Sequence, residues 1–124
     1  MNKNISPHVS IYKFPLTAVS SIATRVSGLY LSGAFIGLGL IKIANKEDFF
    51  YNKYNSLESK YKTIINYSII TPLTYHTYGG VRHFIWDKYP KLLNNKAVTR
   101  SSYLLFGITG ISSILFENIV KKHI

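Results

Sequence analysis

Two histidines at a spacing of seven are the residues in this sequence whose types and positions best suit metal binding. His76 and His83 lie in the segment YHTYGGVRHFIWD, and seven residues make nearly two turns of an α-helix. Both imidazoles therefore face one side of a helix, about 10 Å apart along its axis. Gly79 and Gly80 fall between them and leave a patch without side chains. This face predicts a site where a flat, bulky group lies against the glycines and His76 reaches its centre.

The helix that carries these residues coincides with one of three apolar segments. The chain has 15 Lys+Arg and 5 Asp+Glu, yet residues 27–41, 63–81 and 101–116 contain none of these four types. With polar ends, each segment reaches about 20 residues, which is enough to cross a hydrocarbon core of about 30 Å. The sequence therefore predicts an all-α integral membrane protein.

We expect three transmembrane helices in a single domain over residues 1–124, at about 17–43, 63–85 and 101–120. A soluble three-helix bundle is the alternative, and it requires an apolar stripe and a charged face on each helix. The first segment instead has apolar or small residues on all sides. We expect Thr17 to cap the first helix and Pro72 to kink the second.

Charge and cysteine content exclude several kinds of protein. The net charge of +10 comes from cations beside the apolar segments, which favours anionic lipid headgroups over nucleic acid as neighbours. The chain has no cysteine, so it holds no disulfide, no thiolate nucleophile and no cysteine-ligated iron–sulfur cluster. The abundance of Asn, Lys, Ile and Tyr is typical of an AT-rich genome, such as that of an organelle or a reduced bacterium.

The first helix carries a charged residue close to its start. Ser21 and Arg25 are four residues apart and share a helix face. A charged side chain in a membrane span is unfavourable unless it reaches the interface, pairs, or lines a polar pocket. The pair offers a hydroxyl and a guanidinium to one acceptor, such as a quinone carbonyl that becomes negative on reduction. The alternative is an arginine that only extends to the interface.

The loop between the first two helices places the start of one and the end of the other on the same side of the membrane. Arg25, Arg82 and His83 are then at one depth, where they suit the propionates of a haem. His76 falls near the midplane, where a neutral imidazole can be an axial ligand, or alternatively a histidine that hydrogen-bonds between helices. His83 is poorly placed as the second axial ligand, as are His8 and His123, so that ligand is expected from another chain.

The remaining segments carry no predicted chemistry. Residues 1–16 are expected to form an extended arm, or alternatively a disordered tail. Residues 44–62 are expected to form a polar loop whose aromatic residues anchor it at the membrane interface.

Three motifs together resemble one family over nearly the whole chain. They are SPHVSIYKFP at residues 6–15, SSIATRVSG at 20–28 and HTYGGVRHFIWD at 76–87. In order and spacing they are similar to the cytochrome b556 subunit of succinate dehydrogenase, the large membrane anchor of respiratory complex II. One departure is Thr24, where many members of that family have a histidine before the motif arginine.

The resemblance implies roles for individual residues. It implies that His76 is one axial ligand of the iron of haem b, and that Ser21 and Arg25 line the ubiquinone site. Arg25, Arg82 and His83 are implied at the propionate end, and Asp87 on a proton path to the quinone. No residue of this chain is implied to be catalytic by itself.

The resemblance also implies partners and a location. It implies a heterodimeric haem-binding bundle with a small anchor subunit that supplies the second haem ligand. An iron–sulfur subunit and a flavoprotein subunit would hold the iron–sulfur clusters and the FAD. The implied location is the mitochondrial inner membrane, with a bacterial inner membrane as the alternative. The anchor of a quinol:fumarate reductase and a haem-free structural anchor remain alternative functions.

Overall fold

The computed structural model describes residues 13–123, and within them it shows four α-helices and one short 3-10 helix. The α-helices are α1 (Leu16–Ile43), α2 (Glu47–Asn55), α3 (Ser59–Lys88) and α4 (Asn95–His123), and the 3-10 helix is Pro90–Leu92. Most of the expected extended arm over residues 1–16 lies outside the described residues, as does His8.

The start of α1 differs from the prediction in its cap. Pro15, in an extended conformation, occupies the N-cap position, and its carbonyl accepts the amides of Ala18 and Val19 at 3.0 and 3.3 Å. Thr17 therefore lies inside the helix, and the prediction that it caps α1 was wrong. After α1 the chain turns at Asn45, whose φ of 51° is in the left-handed region that asparagine tolerates.

The segment predicted as a polar loop contains α2, so that prediction was wrong over Glu47–Asn55. Glu47 and Asp48 lie in its first turn and Lys53 in its last. This order of charges stabilises the helix because it opposes the helix macrodipole. Phe49 and Phe50 are exposed on this short helix.

The two later long helices extend beyond their predicted bounds. α3 starts before residue 63 and ends after residue 85, with Pro72 inside it. α4 begins at Asn95 rather than near residue 101. The described residues thus form three long helices, as predicted, and a fourth short one.

The interior of the bundle is polar and its surface is apolar. α3 packs against both α1 and α4, and hydroxyl pairs join α3 to α4: Thr74 to Ser113 at 3.1 Å and Tyr78 to Ser112 at 2.8 Å. Among the described residues, the buried hydrophobic side chains are Leu31, Tyr75 and Leu105. Most large apolar side chains are exposed, which fits helices surrounded by lipid and contradicts the soluble bundle.

Two helices of the described segment, α1 and α4, are long and apolar enough to cross a membrane. α3 has 30 residues, or about 45 Å at 1.5 Å per residue, so its length suffices while its composition is more polar. The third crossing is therefore still a prediction.

Candidate functional site

His76 projects from the middle of α3 against the first half of α1. Its Nδ1 lies 2.9 Å from the carbonyl oxygen of Thr24, and because a carbonyl only accepts, Nδ1 carries the proton and donates it. Ser27 Oγ donates to the same carbonyl at 2.8 Å and lies 3.4 Å from Nδ1. In its neutral form the imidazole is thereby held in the tautomer whose Nε2 lone pair is free, while the residue as a whole stays exposed.

Two glycines, Gly28 on α1 and Gly79 on α3, allow these helices to approach closely around His76. A Cβ atom on Gly28 would lie 2.6 Å from His76 Cε1, and one on Gly79 would lie 2.8 Å from Thr24 Oγ1. Gly80 has nothing within 4 Å of the same position. The expectation that Gly79 and Gly80 form an open patch was thus wrong for Gly79, which Thr24 covers, whereas Gly80 is open among the described residues.

Two different polar stripes run along α1. Ser20, Thr24 and Ser27 are buried against the other helices. Ser21 is half-buried and Arg25 is exposed, so these two predicted quinone-site residues are accessible to a neighbouring subunit or a ligand. Gly28, three residues beyond Arg25 on α1, lies against the His76 ring.

Arg82 is buried between all three long helices. Its Nη1 donates to Ser102 Oγ at 3.0 Å and its Nη2 to Ser20 Oγ at 3.2 Å, and the two hydroxyls lie 3.1 Å apart. Its guanidinium carbon lies 4.6 Å from the centre of the Trp86 ring, a cation–π distance. With only 8% of its surface exposed, Arg82 serves the interior of the bundle and not the surface that carries Arg25.

His83 and Asp87 share an open cavity at the end of α3. The cavity has a volume of about 650 Å³ and is also lined by Phe84, Trp86, Pro90 and Leu93. The His83 ring meets the Trp86 ring edge-on at 5.3 Å. The structure therefore brings His83 and Asp87 to one accessible surface, and Trp86 contacts both His83 and Arg82.

Comparison with known proteins identifies the family. Residues 1–116 match the family described as "Succinate dehydrogenase/Fumarate reductase transmembrane subunit". The chain belongs to this family. The resemblance of the three sequence motifs is thereby confirmed.

Individual members of the succinate dehydrogenase/fumarate reductase family align with most of this chain. The "Succinate dehydrogenase cytochrome b560 subunit, mitochondrial" of Dictyostelium discoideum is 34% identical over 120 residues, covering 94% of this chain and 62% of that protein. The protein of that name from Sus scrofa is 32% identical over 118 residues, covering 91% and 69%. The cytochrome b560 subunit of Marchantia polymorpha is 30% identical over 131 residues, covering 99% and 93%. The chain thus spans slightly less than two thirds of the Dictyostelium protein and nearly all of the Marchantia protein.

Sequence reasoning missed the residues that orient His76. Thr24 was noted only as a departure from the family pattern, and its role here depends on a backbone carbonyl that any residue possesses. A signal was nevertheless present, since Ser20, Thr24, Ser27 and Leu31 recur at helical spacing. Small polar residues in such a row are typical of tight helix–helix packing in membranes.

Proposed function

We propose that this chain is the large membrane-anchor subunit of succinate:ubiquinone oxidoreductase, respiratory complex II, and that it carries one axial ligand of haem b. The observation that carries the proposal is the fixed tautomer of His76, whose Nδ1 donates to the Thr24 carbonyl at 2.9 Å. Metal-ligating histidines commonly donate their second ring nitrogen to a carbonyl or carboxylate, which orients the ring and raises its basicity. Nε2 of an exposed His76 is therefore ready to bind iron.

The surroundings of His76 fit a haem shared with a second chain. Gly80, one turn beyond His76, is open, so a flat ring can lie along this side of α3. Arg25, Arg82 and His83 remain the residues proposed for the propionate end: Arg25 and His83 are exposed, and Arg82 also donates to two serine hydroxyls. When bound, the haem would supply one-electron storage, and a small anchor subunit would supply the second iron ligand.

Ser21 and Arg25 form this chain's part of the ubiquinone site. Both lie on the accessible side of α1, where the Ser21 hydroxyl hydrogen-bonds a quinone carbonyl and the Arg25 guanidinium stabilises the negative charge that develops on reduction. Reduction to the quinol takes two electrons and two protons. His83 and Asp87, which line one open cavity, provide a path for those protons.

The chain anchors an enzyme whose other reactions occur in partner subunits. FAD and the iron–sulfur clusters belong to a flavoprotein subunit and an iron–sulfur subunit, which oxidise succinate to fumarate and pass on two electrons. α1, α3 and α4 cross the mitochondrial inner membrane, and an organelle genome encodes the chain; a bacterial inner membrane is the alternative. A quinol:fumarate reductase anchor is the second candidate, because the matching family includes both enzymes by description.

The test compares the two histidines in the assembled complex. We expect His76→Ala to abolish the b-type α band of the reduced-minus-oxidised spectrum and His83→Ala to retain it. The rates of ubiquinone reduction by succinate and of fumarate reduction by a quinol, measured on the same membranes, distinguish the two candidate enzymes. A band that persists in an assembled His76→Ala complex would show that His76 is a packing residue, and no band in the wild type would show a haem-free anchor.

A further inference from the structure

A polar cavity lies between the start of α3 and the end of α4, about 30 Å along α3 from His83. Its volume is about 210 Å³, and its lining includes Glu117, Lys121, Lys62, Asn66, Tyr54 and Ser59. This volume equals the share of roughly seven water molecules in the liquid. The residues matched to the family end at 116, so Glu117 and Lys121 lie beyond the part of the chain that the family describes.

Glu117 is the residue of this cavity that most requires a partner. Only 1% of its surface is exposed, and neither of its carboxylate oxygens accepts a hydrogen bond from the described residues. Lys121 Nζ lies at ion-pair distance, 3.5 Å from Oε1, but the Lys121 side chain is 49% exposed. A buried carboxylate without hydrogen bonds is strongly unfavourable, so Glu117 calls for N–H or O–H donors that enter the cavity.

The rim of the same cavity is positive. Lys62 lies in the first turns of α3, with its ammonium 5.8 Å from the centre of the Tyr54 ring. The first amides of a helix have no acceptor within the helix and carry a partial positive charge, which favours a phosphate. Lys62, Lys121 and Ser59 at the start of α3 therefore line the same cavity as one buried negative group, Glu117, and Glu58, the N-cap residue of α3, is not among its lining residues.

We propose that this cavity binds the headgroup of an aminophospholipid that has a primary ammonium and a phosphate. The ammonium donates to the two oxygens of Glu117, and the phosphate lies at Lys62, Lys121 and the start of α3. The cavity is at the end of α4, one of the two helices suited to cross the membrane, where lipid headgroups lie. A choline headgroup has no N–H donor and leaves Glu117 without hydrogen bonds, so the site selects ethanolamine over choline.

The test measures lipid retention by the intact complex. The purified complex is stripped of lipid, incubated with dioleoyl phosphatidylethanolamine or dioleoyl phosphatidylcholine, and examined by native mass spectrometry. We expect the wild type to retain the ethanolamine lipid at least about tenfold more strongly, because hydrogen bonds to a charged group are lost with choline. Glu117→Gln should remove this preference. Glu58→Gln, which changes an exposed acid beside the same helix start, should leave it unchanged.

A second measurement does not depend on a variant that assembles. N-methylation of phosphatidylethanolamine removes its N–H donors one at a time, so retention by the wild-type complex should fall stepwise along the methylation series. Equal retention of the ethanolamine and choline lipids would overturn the proposal. So would equally strong retention of phosphatidylglycerol that is insensitive to Glu117→Gln, because that result describes a site for phosphate alone. Failure to retain any lipid would also overturn it.

Discussion

His76 and His83 lie on the same helix and face, yet the chain holds them in different ways. His76 donates to a backbone carbonyl of α1 and packs against a glycine that leaves no room for a methyl group. His83 contacts the edge of Trp86 and lines an open cavity with Asp87. A fixed ring with one free nitrogen suits a metal ligand, whereas an accessible ring beside a carboxylate suits proton exchange.

The two arginines repeat this contrast. Arg82 donates from Nη1 and Nη2 to Ser102 and Ser20 inside the bundle, and Arg25 is exposed on α1. A family pattern that contains both arginines does not separate these roles, but burial does. Their contacts suit Arg82 to holding the three long helices together and leave Arg25 accessible to a ligand or a partner.

The largest effect on the proposed difference between His76 and His83 is expected from Gly28→Ala. The new methyl group would lie 2.6 Å from His76 Cε1, and because the ring is the movable end of a side chain, the ring moves and the fold remains. Loss of the hydrogen bond that orients a metal ligand costs about 10–100-fold in metal affinity. We therefore expect a correspondingly weaker retention of haem, measured by the b-type spectrum of the purified complex during dilution.

Gly33→Ala is the matched control, since a methyl group there meets nothing within 4 Å among residues 13–123. Gly33→Ala should retain haem as the wild type does. Full haem retention by Gly28→Ala would mean that the position of the His76 ring against α1 is unimportant for the iron.

The second prediction is that substitutions of the two arginines affect different properties of the complex. Arg82→Ala removes two hydrogen bonds from a buried charged group, and we expect a loss of about 2–3 kcal/mol in the free energy of unfolding. Arg25→Ala alters an exposed residue and should change stability by no more than about 0.5 kcal/mol. Thermal unfolding of the complex in detergent measures the first effect, and the rate of quinone reduction should fall chiefly in Arg25→Ala. The reverse pattern would contradict the assignment of roles.

The bounds of α1 were predicted within one residue of its observed start, Leu16, and at its observed end, Ile43. The prediction succeeded because a long apolar segment lies between a proline and a polar stretch. Both bounds of such a helix follow from the local sequence and do not depend on tertiary packing. α2 was missed because its aromatic and charged residues also suit an interfacial loop. The signal that distinguishes the two is the placement of acids in the first turn and a lysine in the last.

The candidate site was predictable in its residue types but not in its packing. Ser20 and Ser21 are identical neighbours, and hydropathy gives no reason to bury one of them. In a bilayer both the inside and the outside of a bundle can accept small polar residues, so the partner helix decides which stripe is buried. The same reason explains why Gly79 is covered by Thr24 while Gly80 is open.

The smallest effect is expected from substitutions of the neighbouring glycines Gly79 and Gly80. In Gly79→Ala the methyl group meets Thr24 at Oγ1, Cγ2 and Cβ, at 2.8 to 3.4 Å. Rotation about the Cα–Cβ bond of a threonine is restricted, so α1 and α3 must separate to make room for the methyl group. We expect a loss of about 1–3 kcal/mol in the free energy of unfolding, as for other overpacked interiors. In Gly80→Ala none of the described residues is displaced, and the helix gains up to about 1 kcal/mol in propensity. Thermal unfolding of the isolated chain in detergent compares the two, and equal stability losses would show that Thr24 does not hold α1 against α3. In the assembled complex, a loss of haem by Gly80→Ala with retained stability would place the flat ring on the open glycine.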